Sequence, residues 1–350
     1  PGSGNIDIAS GYLQLEGGTR LNGSSNNVMH VESGATLMYW YLSDDATATP
    51  WSLVFENSSK IRVDGGAANQ DIWRGPVTLN GLAYLDPNGF YLYLTGAISG
   101  SGSIENMSGG FSYLYNTNNT YSGTTTASSG IIYAKNPGSL PGYASGKVTV
   151  KSGGTIAVPA SNGTEGWTAS QIHDMAIAST FTAPDATLGI DTSLADLNYN
   201  FAFPSMMGLY KLGSGTLTLN TAGQTINGQI KASGGELIMD GTSVNTTNVE
   251  NYVGLNSGDS AQVTLSGDTT WTSVLPIVNT WAPTLYIGTS GKGVLTIKDT
   301  ASMTQRFNLG QNYGSAGAVH QSGGTVVNWG GCSTDGRIGQ SGYGYYELSG

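Results

Sequence analysis

Residues Lys151 to Val158 read KSGGTIAV, and the chain says nearly the same thing in three other places. Ser33-Gly34-Ala35-Thr36-Leu37 comes before it, and Ser233-Gly234-Gly235-Glu236-Leu237 and Ser322-Gly323-Gly324-Thr325-Val326 come after it. A weaker echo lies at Gly17-Gly18-Thr19-Arg20-Leu21. The quoted copy, Ser152-Gly153-Gly154 with its flanks, alternates on both sides of its turn, with Val148 and Val150 before it and Ile156 and Val158 after. Period-two alternation marks a strand with one buried face. A chain that returns to the same turn and the same kind of strand is making the same corner again and again.

Composition suits that reading. Glycine supplies 53 of 350 residues, about twice its usual share of ~7%, and it gives turns their positive φ. Charged residues are 10%, against about 25% in an average domain. Hydrophobic residues reach 38%, too many for a disordered chain. The net charge is −10 with 13 Lys plus Arg and no basic stripe. That excludes counterion-release binding to nucleic acid and docking on an anionic membrane surface. No apolar run approaches the ~18 residues of a direct membrane span. Cys332 is the single cysteine, so no intrachain disulfide forms. The chain opens on Pro1 rather than Met and stops inside a repeat at Glu347-Leu348-Ser349-Gly350. It therefore reads as processed or as part of a longer product.

Longer self-similarity follows. Thr120-Tyr121-Ser122-Gly123 and its continuation to Ala134 align without a gap, at an offset of 105 residues, with Thr225-Ile226-Asn227-Gly228 and its continuation to Met239. After about residue 246 a second phrase takes over. Val253-Gly254, Ile287-Gly288, Leu309-Gly310 and Ile338-Gly339 each open a polar turn that leads into another alternating strand, at intervals of 34, 22 and 29 residues. Units of this length that cannot bury a face alone stack on their neighbours. The fold expectation is an all-β parallel β-helix, or β-solenoid, with Gly-rich turns. It runs as one continuous solenoid over 1–245 and 246–350, the second part carrying the Ile-Gly and Ser-Gly-Gly repeats. About 14–16 coils at ~4.8 Å each would make a rod of about 70 Å. A sandwich or barrel does not repeat its turn sequences. One stretch breaks the pattern: Thr168 to Thr180 spaces Ile172, Met175 and Ile177 as a short helix, capped by Thr168 or Ser170.

GLYKLGSGTLTLN over Gly208–Asn220, with TINGQIKASGGELIM over Thr225–Met239, closely resembles the passenger-associated repeat of bacterial autotransporter proteins. NTYSGTTTASSGIIYA over Asn119–Ala134 matches the second half of that motif, and ATLGIDTS over Ala186–Ser193 is a further phrase of it. The last hundred residues resemble the arrays of long bacterial surface proteins. The resemblance is strong over about 97–240, good over 250–350 and loose over 1–96. It implies a right-handed β-helix, exported and displayed at the cell surface or released to the extracellular space. The family's repeat carries no catalytic residues, and the expectation is that these 350 residues do not include the C-terminal membrane barrel of a full autotransporter.

Solenoids also include polysaccharide lyases and hydrolases, so chemistry has to be sought. Asp44-Asp45 is the only adjacent acidic pair, and it reads as a solvated turn, without the Gly-His-Gly element of a pectinase-like site. The basic residues are scattered. His173-Asp174 are sequence neighbours on the helix and do not face each other. His30 and His320 sit in strands beside Ser-Gly turns and read as surface residues; no spacing among the histidines and Cys332 is that of a zinc site. Cys332 reads as a small turn residue. Runs such as Ser99–Ser103 lack the Lys-Ser/Thr of a phosphate loop. No calcium nonapeptide repeats. No catalytic residue, metal or cofactor is expected. Aromatics carry more: Met38-Tyr39-Trp40-Tyr41 and Phe90-Tyr91-Leu92-Tyr93 put rings on both faces of their strands. Tyr39, Trp40, Tyr41, Tyr91 and Tyr93 are the candidate contacts to glycan or partner. The expectation is a non-catalytic extracellular solenoid, a stalk, fibre or filament that self-associates. An adhesin ranks second, and a polysaccharide-active enzyme with two carboxylates ~5–10 Å apart ranks third.

Overall fold

Parallel pairing of each strand with its counterpart one coil later builds all the sheets, and the chain forms a β-solenoid of about 12 turns with 52% strand and 4% helix. The computed structural model describes residues 4–16, 27–40, 51–65, 70–204, 206–221, 223–247, 249–274, 283–327 and 336–349. The coils are fewer than the sequence spacing implied because several are long. Tyr91 faces Phe111 across one coil, but Asn251 faces Leu285. Among the described residues, no helix is long and apolar enough to cross a membrane.

The chain divides into two compact units. The first comprises Pro1–Val158 with Ala178–Thr180. A typical coil there carries three strands, Val77–Leu79, Leu82–Asp86 and Tyr91–Leu94. They pair with Ile98–Gly100, Ser103–Asn106 and Phe111–Leu114 of the next coil. Alternation then sorts side chains into inward and outward columns. Leu37, Ile61 and Leu85 stack in one inward column and are almost wholly buried. Asn106 takes the next place in that column. Its amide stays satisfied, donating to Ser108 O and Ser129 O and accepting from Ser112 Oγ.

The second unit comprises Pro159–Ile177 with Phe181–Gly350. Its inward columns include Leu217, Leu237, Val263, Leu295 and Val319. The residues preceding the repeated glycines, Val253, Ile287, Leu309 and Ile338, form one register column. The irregular intervals of the sequence are thus true coil lengths. Gly288 shows why glycine follows: its φ is +72°, and a Cβ there would lie 2.0 Å from Ala316 O. The change of repeat phrase near residue 246 falls inside this unit.

The four Ser-Gly copies do not occupy one corner. They precede strands Thr36–Trp40, Gly154–Pro159, Gly234–Asp240 and Thr325–Val327, which belong to four different sheets. The left-handed residue is Gly34 or Gly153 in two copies but Gly235 or Gly324 in the others. One phrase serves several corners because each needs only a tight turn into a strand.

The helix runs Ala169–Ala178. Thr168 accepts from the Gln171 N–H while Gln171 accepts from the Thr168 N–H, a capping box. Ile172 and Met175 are buried as their spacing predicts, but Ala176 completes the buried face and Ile177 is 59% exposed.

The columns predict a sharp contrast between adjacent positions. Leu295→Ala removes a fully buried side chain and should cost about 2–5 kcal/mol. Thr296→Ala, on the outward face of the same strand, should change stability by less than ~0.5 kcal/mol. Denaturant unfolding of the two variants checks both values.

Candidate functional site on the outer aromatic face

Coil-to-coil register decides which aromatic residues meet. Tyr93, Tyr113 and Tyr133 are directly opposite one another in consecutive coils of the first unit, and Tyr91 lies opposite Phe111. The inward places beside them hold Leu92, Leu94 and Leu114, so the rings stand on the outer face. Tyr93 and Tyr113 stack with centroids 4.4 Å apart and planes 3° from parallel. Phe111 flanks Tyr113 at 5.6 Å and 10°, and Tyr133 covers its far side at 5.1 Å with a 51° tilt. Tyr115 adjoins the stack, with the Lys135 ammonium 5.7 Å from its ring centroid. A second, shorter stack occurs in the other unit. Tyr252 and Tyr286 lie 5.5 Å apart and both donate to the Glu250 carboxylate, at 2.5 and 3.2 Å.

This geometry sorts the candidate contacts. Tyr39 is 1% exposed and faces inward, beside Trp73. Trp40, next to it, is 50% exposed. Tyr41 lies outside the described residues, as do Asp44-Asp45 and Cys332. Tyr91 and Tyr93 share one face, because residues two apart in a strand point the same way. A ring in the middle of the stack, such as Tyr113, has its faces covered by other rings. It leaves edges and a hydroxyl for a partner, not the open face on which a sugar ring would lie. Phe111, Tyr113, Tyr115 and Tyr133 were not singled out from sequence. The signal was there: tyrosines at 93, 113 and 133 recur at the coil length.

The stack also holds its protons. Burial first, and then the neighbouring Tyr93, Tyr115 and Tyr91, push the Tyr113 phenol far above its ordinary value. Burial does the same to Tyr121, against the opposing 2.6 Å bond to Thr125 Oγ1.

Charged groups gather where the sequence showed only scatter. Asp86 accepts from Arg62 at 3.1 Å and lies 3.8 Å from the Lys60 ammonium; Arg62 also reaches Asp64 at 3.3 Å. Glu105 takes Lys151 at 2.9 Å and the Ser128 hydroxyl. Burial opposes ionisation of Glu105, but those two donors outweigh it and hold the carboxyl below its ordinary value. His173 stacks on Phe201 and shares a 3.4 Å contact with the Tyr199 hydroxyl. His320 pairs with Glu347 at 2.9 Å. Asp7, one coil earlier, and the near neighbours His30 and Glu32 each bring a ligand-type atom within 4.8 Å of the others.

Lys211, the lysine of GLYKLGSGTLTLN, is wholly buried. Its ammonium donates to Leu212 O, Gly213 O and, one coil on, Gly234 O, all within 2.9 Å. Burial draws its pKa down to about 8, against the opposing pull of Asp191 and Asp196. With no solvent access it clamps a corner.

The fold and its outer columns define a repeat protein of the parallel β-solenoid class. Comparison with family models, curated proteins and solved structures yields no match to this chain.

Two measurements test these roles. The raised phenols keep their protons in the folded state, while unfolded tyrosines ionise near pH ~10. Above that pH the unfolded chain binds fewer protons than the folded one, so stability is whole below pH ~10 and declines as pH rises. Phenolate absorbance should therefore show a class of tyrosines that ionise only on unfolding, and Tyr113→Phe should shrink that class. Lys211→Met, which withdraws the donor from buried carbonyls, should cost about 2–4 kcal/mol, read from the urea midpoint.

Proposed function

We propose that the chain is a non-catalytic structural element of an extracellular or surface assembly, a stalk, fibre or filament unit of the kind the autotransporter-like repeats suggest. The observation that carries this reading is the use made of the repeat's own polar residues. Lys211 clamps its corner. Asp191 accepts from Ser193, and Asp196 from the Thr216 N–H one coil on. These side chains are occupied in closing their own turns and, at Lys211 and Asp196, in joining one coil to the next.

The proposal includes self-association, lateral or head-to-tail. What supports the lateral mode is the outer face of one sheet in the second unit. There Asn245, Thr272 and Thr304 lie in register beside Ser243, Thr270 and Ser302. Neither column carries a charge, so another copy can approach without desolvating ions. An adhesin for glycan or host surface is the second reading, and half-exposed Trp40 favours it.

Electron microscopy of the native material separates the two. Long fibres with an axial repeat of ~4.8 Å are the expected result. Short separate particles would overturn the filament role. Glycan binding by those particles, lost in Trp40→Ala, would establish the adhesin.

A further inference from the structure

We propose that Asp7, His30 and Glu32 form a binding site for one divalent metal ion of the zinc type on the outer face of the first unit. The site comes from register. Strand Asn5–Ile8 pairs in parallel with Val28–Val31, which sets Asp7 directly opposite His30. The ladder continues one residue further, where the Glu32 N–H bonds to Ile8 O at 3.1 Å. His30 and Glu32 are two residues apart with buried Val31 between them, so both stand on the outer side. Neighbouring strands lie ~4.8 Å apart, and one donor atom from each of the three residues falls within 4.8 Å of the other two.

The donor set suits the ion. Zinc takes imidazole nitrogen and carboxylate oxygen at ~2.0–2.2 Å, so donors on a common ion lie within about 4 Å of each other. Small torsions of three side chains that are not packed in the core close the difference. Three protein ligands leave a fourth position for water. An imidazole among the donors favours a first-row divalent ion over calcium or magnesium, which prefer oxygen alone.

The surroundings call for a cation. Among the described residues, no hydrogen bond or ion pair holds the side chain of Asp7, His30 or Glu32. The carboxylates of Asp86 and Glu105 have lysine or arginine partners, and Glu347 has His320. One coil beyond Glu32 comes another carboxylate, Glu56, whose N–H bonds to Val31 O. Its partner is the neutral Asn80 amide. Two carboxylates thus converge on a histidine, beside a third acid, and among the described residues no lysine or arginine is ion-paired with any of them. The sequence hides this arrangement because Asp7 comes from one coil and His30 and Glu32 from the next, and only the register between coils brings them together.

Calorimetric titration of the chelator-stripped chain with zinc chloride, in a Cys332→Ser background that removes the thiol, tests the site. The expected result is a single ion bound, with affinity lowered at least about tenfold in each of Asp7→Asn, His30→Ala and Glu32→Gln. His320→Ala should leave it unchanged. Zinc should raise the melting temperature of the parent and not that of His30→Ala, and cobalt should give the visible absorption of a low-coordinate site only in the parent. Metal-free circular dichroism confirms that each variant is folded, with His30→Gln as the milder replacement. Zinc affinity equal to the parent's in His30→Ala and His30→Gln, or no binding below millimolar zinc, would overturn the proposal.

Discussion

The parallel hydrogen-bond ladder between successive coils is the constraint on which everything else in this protein depends. It fixes each residue above its counterpart one coil earlier, as Leu37 sits above Ile61 and Ile61 above Leu85. A single coil buries too little apolar surface to fold alone, so stability comes from the interfaces between coils. The same ladder governs the outer face. It sets tyrosine on tyrosine at 93, 113 and 133, and it brings arginine to aspartate at 62 and 86. Inward and outward columns therefore obey one register while doing different things.

Corners are where such a ladder would fail, because the turning backbone leaves its polar groups unpaired. Side chains make up the deficit, and many reach across to the next coil. Asn119 accepts from the Ile98 N–H and donates to Ser139 O, which ties three successive coils. Asn251 likewise accepts from the Ile230 N–H one coil earlier, and Lys211 joins its own corner to Gly234. These buried polar residues hold neighbouring corners in step as the coil length changes. Coil length varies, as between Asn251 and Leu285, without loss of the pairing between those strands.

The columns that face out present the chemistry available to a partner. A stack of rings covers its own faces, so the tyrosines of the first unit are better suited to holding coils together than to receiving a sugar ring. An uncharged column of Thr, Ser and Asn is suited to meeting another flat surface. A group of acids around a histidine, with no lysine or arginine paired to them among the described residues, is suited to a cation. These are three different chemical surfaces produced by one backbone pattern.

The sequence by itself determined the class of fold. Alternation around KSGGTIAV, the aligned turns and the Ile-Gly phrases dictate short strands and tight corners, because inward places must be apolar and corners must admit positive φ. It also placed the helix to within a residue or two, through Thr168 and the spacing of Ile172 and Met175. Only the tertiary structure decided which residues meet. Coils vary in length, so the residue opposite a given side chain cannot be counted from a fixed period. Asp7 finds His30, Tyr93 finds Tyr113, and Tyr39 turns inward while Trp40 turns out. The buried lysine was equally hidden: its place in the repeat was plain, but its three carbonyl partners exist only once the corner closes beside the next coil. Local pattern is encoded within a strand and its turn, whereas a site is made by the register between coils.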